Sequence, residues 1–146
     1  MKTKTEILTL IEKAVTLDLE GIELLKRYDE DTIQREYNGI GPEYIPEKAR
    51  ARVTDFLSIF EAPSMIHDLD FKESDGTEAS FEAANARFLR NCITAAEHEY
   101  PWYRPKRYAA KAAAFAMYDA VSSKFGWKAW RDAYEKNAEC RMQNFQ

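Results

Sequence analysis

Apolar residues recur along most of this chain at intervals of three and four, the spacing that places them on one face of a helix. No stretch alternates apolar and polar residues over the length of a strand, and no segment is repeated. The pattern predicts helices over about residues 4–27, 46–60, 63–72, 78–99, 104–124 and 127–138. We therefore expect an all-α fold.

Local signals place the expected helix boundaries. Pro46 suits a first helical position, and another helix should begin near Pro63. After the Asp-Gly turn in ESDGT, Thr77 can cap the next helix by accepting a hydrogen bond from its first exposed N–H groups. Gly126, in FGW, is expected to separate the last two helices.

The predicted helix over 78–99 carries an amide on its apolar face. Phe81, Phe88 and Cys92 follow helical spacing, and Asn85 falls on the same stripe. An amide buried without a partner costs about 1–3 kcal/mol, so Asn85 should have one.

The preceding helix offers that partner. His67 and Phe71 lie four residues apart, so both are expected to point inward. Because a short turn joins the two helices, they can pack antiparallel and bring Asn85 within reach of the imidazole. The Asn85 side-chain carbonyl would then accept from one ring N–H, leaving the other ring nitrogen free for water.

The composition is that of a single globular domain over residues 1–146. Hydrophobic residues make up 45% and charged residues 32%, and no uncharged apolar run is long enough for a membrane span or a signal peptide. Cys92 and Cys140 lie far apart without metal-type spacing, so neither a disulfide framework nor a zinc site is expected. Synthesis in the cytoplasm follows as the default expectation.

Charge is distributed unevenly. Through Glu99 the chain has 12 basic and 21 acidic residues, whereas from Tyr100 onward it has 9 basic and 4 acidic residues. The densest basic stretch, PWYRPKRYAAK, mixes aromatic and basic residues in a way that suits a lipid headgroup interface or single-stranded nucleic acid. It also suits a helix entry whose charges face water. Nucleic acid is not the expected partner.

A glycine-containing loop and a His-Asp pair form the main candidate site. Gly39 and Gly41 let backbone carbonyls converge without side chains in the way, and such carbonyls together with the Asp68 carboxylate are the hard oxygen ligands that calcium prefers. His67 has an ordinary pKa near ~6.5, so a neutral ring able to accept a proton is well populated at neutral pH.

Three motifs resemble the phospholipase A2 superfamily, in particular its short, disulfide-poor members from parvovirus capsids, phage-like proteins and bacteria. YNGIG, beginning at Tyr37, matches the family's Y-x-G-x-G calcium loop, and HDLDF, beginning at His67, matches its H-D-x-x-Y helix except at Phe71. NARF, beginning at Asn85, is similar to a D-x-x-F pattern with Asn replacing Asp. The resemblance covers about residues 37–92. It implies a core of two antiparallel helices, over about 37–99, with extra helices before it and a basic helical part over about 100–146.

The resemblance also implies a Ca²⁺ site and a phospholipid membrane surface as substrate. With a single carboxylate ligand, calcium affinity should be weak, about 10⁻⁴ to 10⁻³ M. Resting cytoplasm would leave such a site empty, which favours release by lysis or delivery in a particle. The implied ligands are the backbone carbonyls of Tyr37, Gly39 and Gly41 and both carboxylate oxygens of Asp68.

By the same resemblance, His67 would take a proton from the water that attacks the sn-2 ester, and Asn85 would orient His67. Phe71 has no hydroxyl to donate to the orienting residue, and Asn85 has no charge to stabilise imidazolium, so the enzyme would be slow or disabled. The alternative is a catalytically inactive interaction or structural module of mobile-element or phage origin.

Each candidate also fits a purely structural role. His67 would then be a bonded core histidine, Asp68 a solvated helix carboxylate and Asn85 a bonded polar core residue. Gly39 and Gly41 would only shape the turn before the next helix.

Overall fold

Helices account for most of the residues placed in a computed structural model, which describes residues 1–37, 39–40 and 47–144. Within those ranges there is no β-strand, and the all-α prediction is confirmed. A 3₁₀-helix over Thr54–Phe60 lies between α4 and α5. The α-helices are α1 (Lys4–Thr16), α2 (Ile22–Arg27), α3 (Glu30–Glu36), α4 (Glu47–Val53), α5 (Glu61–Lys72), α6 (Glu78–Glu99), α7 (Pro105–Val121) and α8 (Lys124–Asn144).

The single helix predicted over 4–27 is wrong, because the chain turns between α1 and α2. Asp18 and Gly21 both adopt positive φ, of 51° and 95°. A Cβ atom on Gly21 would lie 2.7 Å from Cγ2 of Ile66 in α5, so glycine permits this turn both by conformation and by space. Apolar residues at helical spacing continue on both sides of the turn, so the hydrophobic pattern alone does not reveal it.

Helix α3 was not predicted. Its start is capped by the Asp29 carboxylate, which accepts a hydrogen bond of 2.8 Å from Thr32 N–H. Ile33 is buried, and the helix ends at Glu36, immediately before Tyr37, the first residue of the glycine-containing loop. This short helix therefore positions the start of the candidate site.

The next segment is helical, but its geometry changes partway. Instead of one helix over 46–60, α4 passes into the 3₁₀-helix, which continues directly into α5. Val53, Phe56 and Phe60 are buried as expected. Helix α5 begins at Glu61, two residues before the predicted start, and Pro46 lies outside the described residues.

Helix α6 spans the predicted residues. The Thr77 hydroxyl accepts a hydrogen bond of 3.2 Å from Ser80 N–H, which confirms the predicted cap. The expected stripe is also confirmed, since all four of its members are buried: Phe81, Asn85, Phe88 and Cys92.

The sequence predicted that Gly126 separates the last two helices, and this prediction is wrong. The break lies at Ser122 and Ser123, and Gly126 lies in the first turn of α8, which extends well beyond the predicted end. A Cβ atom on Gly126 would lie 1.9 Å from the Val121 carbonyl oxygen. Glycine is therefore required here for close backbone approach rather than for ending a helix.

Helix α8 is bonded to the turn between α5 and α6. Trp130 Nε1 donates to the Thr77 carbonyl at 3.1 Å, Arg131 donates to the Gly76 carbonyl at 2.9 Å, and Asn137 donates to the Lys72 carbonyl at 2.7 Å. These bonds hold α8 beside α5, and the space between the two helices belongs to the candidate site.

Two of the three tryptophans belong to the core. Trp130 is buried and Trp127 packs against Phe81, with 5.3 Å between ring centroids. Trp102 lies between α6 and α7 and is 73% exposed. Of the helices in the described ranges, none is both long enough and apolar enough to cross a membrane.

Candidate active site in a cavity between α5 and α8

A cavity of about 800 Å³ brings the glycine-containing loop and the His-Asp pair to one place. Tyr37 and Gly39 line it from the loop, and His67 and Asp68 line it from α5. Gly41, the remaining predicted ligand, lies outside the described residues. The cavity thus connects two segments that the sequence linked only by motif.

The predicted contact between His67 and Asn85 is confirmed. His67 Nε2 lies 2.9 Å from Asn85 Oδ1, with both side chains buried. The Asn85 amide group also donates from Nδ2 to the Val121 carbonyl at 3.4 Å, which directs its oxygen toward the ring. An oxygen in that position accepts from Nε2–H, so the lone pair of the neutral imidazole is on Nδ1.

The Nδ1 atom of His67 is open to the cavity. It has no hydrogen-bond partner in the described parts of the chain. Nor is it fully enclosed, because Ser122 Oγ is the one fully enclosed side-chain polar atom without a partner among those residues. The ring is held between Phe71 and Phe88, whose centroids lie 5.0 and 4.7 Å away. This packing leaves the ring little freedom to rotate.

Burial lowers the pKa of His67 to about 4, against the raising effect of the Asn85 hydrogen bond, and the Arg87 charge lowers it further. The imidazole is therefore neutral at pH 7, as a proton acceptor must be. Its basicity is low for general-base catalysis, which works best with a pKa near the operating pH.

Asp68 is a carboxylate without a counterion. Among the described residues it has no hydrogen-bond or ion-pair partner, while its neighbour Glu36 pairs with Lys72 Nζ at 3.2 Å. Burial, followed by the Glu36 charge, raises the pKa of Asp68 to about 7. A partly buried carboxylate with no counterion among the described residues is the kind of oxygen ligand that a hard cation prefers.

The Tyr37 side chain has a structural role. Its hydroxyl donates to Glu61 Oε1 at 3.2 Å, and Lys2 Nζ lies 2.6 Å from the same oxygen. Burial raises the pKa of Tyr37 well above its ordinary value. Because the phenol is committed to Glu61, any contribution of Tyr37 to a metal site would come from its backbone carbonyl. Gly39, with φ of 95°, adopts a conformation that other residues rarely accept.

Sequence reasoning missed part of the cavity. Glu36, next to the loop, could have been found as an acidic residue immediately before Y-x-G-x-G. The wall formed by α8 had no such signal, because the resemblance ended before residue 100. That wall contributes a mostly polar edge, consisting of Lys136, Asn137, Cys140 and Arg141.

Within the described ranges, no three His, Cys, Asp or Glu side chains are grouped so that they could hold a metal ion. The predicted ligand set depends instead on one carboxylate and backbone carbonyls. Comparison of the chain with family models, curated proteins and solved structures found no match.

Proposed function

We propose that this protein is a calcium-dependent hydrolase that cleaves the sn-2 ester of phospholipids, with His67 as the general base. One observation carries the proposal: the His67–Asn85 pair presents an unpaired ring nitrogen to a cavity that also contains Asp68 and Gly39. Base, carboxylate and loop thus share one site.

In this mechanism, His67 Nδ1 accepts a proton from water as the water attacks the ester carbonyl. The Asn85 oxygen accepts a hydrogen bond from Nε2–H and so fixes the orientation and the tautomer of the ring. An amide has no negative charge to stabilise the imidazolium that forms, and the pKa of about 4 reflects a site in which that cation is unfavourable. Slow turnover is expected.

The residues that would hold calcium are Asp68 and the backbone of Tyr37, Gly39 and Gly41. Asp68 fits the role because it has no counterion among the described residues and its carboxylate is destabilised by burial and by Glu36. Bound there, calcium would polarise the ester carbonyl and stabilise the negative charge that develops on its oxygen. The Gly39 N–H would donate to the same oxygen.

The apolar part of the cavity suits an acyl chain. The apolar residues that line this part are Phe71, Phe88, Met117, Phe125 and Ala133. A volume of about 800 Å³ is within the range of small-molecule sites, in which apolar side chains dominate and a few polar groups orient the ligand. The reacting ester would lie at the boundary, near His67.

The test is release of fatty acid from vesicles of mixed phospholipids, with calcium or with a chelator. Wild-type protein should release fatty acid only with calcium, and both His67→Ala and Asp68→Ala should reduce the rate at least ~100-fold. His98→Ala is the matched control, because the other histidine is exposed on α6. No release by the wild type, or equal release by His67→Ala, would reject the proposal.

A second candidate is an inactive helical module. The 6% exposure of His67 and its aromatic neighbours favour this reading, since a bonded histidine between two phenylalanines also makes a stable core. Its distinguishing outcome is a folded wild-type protein that binds no calcium and releases no fatty acid.

A further inference from the structure

Two cations on α8 line the cavity without an acidic partner. Lys136 and Arg141 are exposed and reach the cavity, and neither forms an ion pair with any described residue. The remaining basic residue that lines the cavity, Lys72, pairs with Glu36. The two unpaired cations thus belong to the cavity rather than to a surface ion-pair network.

Lys136 and Arg141 form a cationic edge of the cavity, and the position of this edge on α8 is fixed. Asn137, between the two cations, donates to the Lys72 carbonyl at 2.7 Å and holds this part of α8 to the end of α5. Toward the start of α8 the cavity wall is apolar and consists of Phe125, Ala129 and Ala133. The cavity therefore combines an apolar interior with positive charge along one side.

Asp68 lies on the opposite wall of the cavity. Among the described residues that line the cavity, it is the single carboxylate without a counterion. A cationic headgroup would meet Lys136 and Arg141 and be repelled, whereas a phosphate or carboxylate would gain charge-assisted hydrogen bonds from both. The guanidinium of Arg141 also offers paired donors suited to phosphate. Charge and shape together favour a molecule with one anionic end and one apolar end.

We propose that Lys136 and Arg141 bind the anionic group of an amphiphile whose apolar part fills the cavity, and that they select anionic lipids over cationic ones. This inference deepens the proposed function and rests on it for the identity of the substrate as a lipid ester. Binding itself requires neither calcium nor an ester.

The experiment measures binding by titration calorimetry in the presence of a chelator, with ligands that contain no ester. Decyl phosphate, below its micelle concentration, should bind at least ~10-fold more tightly than decyltrimethylammonium and than inorganic phosphate. The first comparison tests the charge and the second tests the apolar part. Equal affinity for the two amphiphiles, or for decyl and inorganic phosphate, would overturn the inference.

Variants assign the effect to the two cations. Lys136→Gln combined with Arg141→Gln should abolish the preference for decyl phosphate while retaining the melting temperature of the wild type. Lys128→Gln, on the same helix, is the control and should leave the preference intact. A preference that survives the double substitution would overturn the assignment.

The outcomes separate this inference from the proposed function. Selective binding of decyl phosphate without fatty acid release would reject the hydrolase and leave the cationic edge supported. Fatty acid release with no charge preference would reject the cationic edge and leave the hydrolase supported.

Discussion

Asp68 and Asp70 lie two residues apart on α5, and of the two only Asp70 contacts a cation within the described structure. Arg87 donates to both Asp70 oxygens, from Nε at 3.2 Å and from its terminal nitrogen. Asp68 faces the cavity near Glu36 instead. Burial raises the pKa of both carboxyls, but the Arg87 charge opposes this at Asp70, whereas the Glu36 charge adds to it at Asp68.

Asp68→Asn should therefore stabilise the protein at pH 8. The folded-state pKa of Asp68, about 7, lies above the unfolded value near 3.9, so its charged form opposes folding above pH 7. Because Asp68 is partly accessible to solvent, we expect a gain of about 1–2 kcal/mol rather than the full value of the shift. Urea unfolding at pH 8 measures it. Asp70→Asn is the comparison: burial also raises the pKa of Asp70, but this variant breaks the pair with Arg87, so its stability should lie below that of Asp68→Asn. A loss of stability in Asp68→Asn would contradict the assignment.

Calcium should stabilise the folded protein through Asp68. With affinity near 10⁻⁴ to 10⁻³ M, 10 mM calcium would add about 1–3 kcal/mol. The pKa of Asp68 near 7 means that the carboxylate is charged at pH 8 and mostly protonated at pH 6, so the shift should be larger at pH 8. Thermal unfolding with calcium and with magnesium measures the effect. The same shift in Asp68→Asn would place the ion elsewhere.

Stability should fall in acid partly because of His67. Its folded-state pKa of about 4 lies below the unfolded value near 6.5, so its contribution is present above pH 6.5 and lost as pH falls toward 4. The difference in unfolding free energy between wild type and His67→Gln should change by about 2–3 kcal/mol across this range. His98→Gln should show no such change. An identical difference at pH 7 and pH 4 would mean that His67 is not held neutral by burial.

A carboxylate at position 85 should make His67 a stronger base. Asn85→Asp would accept from Nε2–H with a full charge, and we expect the pKa of His67 to rise well above the wild-type value. It also removes the donor to the Val121 carbonyl, so stability should fall. NMR titration of the His67 ring measures the pKa, and the vesicle assay measures turnover. In Asn85→Leu the hydrogen bond is lost and the pKa should not rise.

Local signals predicted α6 and its neighbourhood well. The Asp-Gly turn, the Thr77 cap and the apolar stripe all act within a few residues, and the polar residue on that stripe led directly to the His67–Asn85 bond. Burial of an amide demands a partner, so the sequence constrained which side chain it would meet.

Features set by distant packing were not predictable in this way. The turn at Gly21 depends on the approach of Ile66, and Gly126 depends on the Val121 carbonyl rather than on a helix end. The cavity wall on α8 depends on bonds to a turn some fifty residues earlier, such as that from Trp130 to Thr77. No local pattern contains that information.

The attachment of α8 has an evolutionary consequence. Trp130, Arg131 and Asn137 hold this helix through the backbone carbonyls of Thr77, Gly76 and Lys72, so the attachment uses neither residue 136 nor residue 141. Positions 136 and 141 can therefore change without detaching the helix, while His67 and Asn85 stay on other helices. The cationic side of the cavity can thus vary on one helix while the His67–Asn85 pair on the other helices is unaffected.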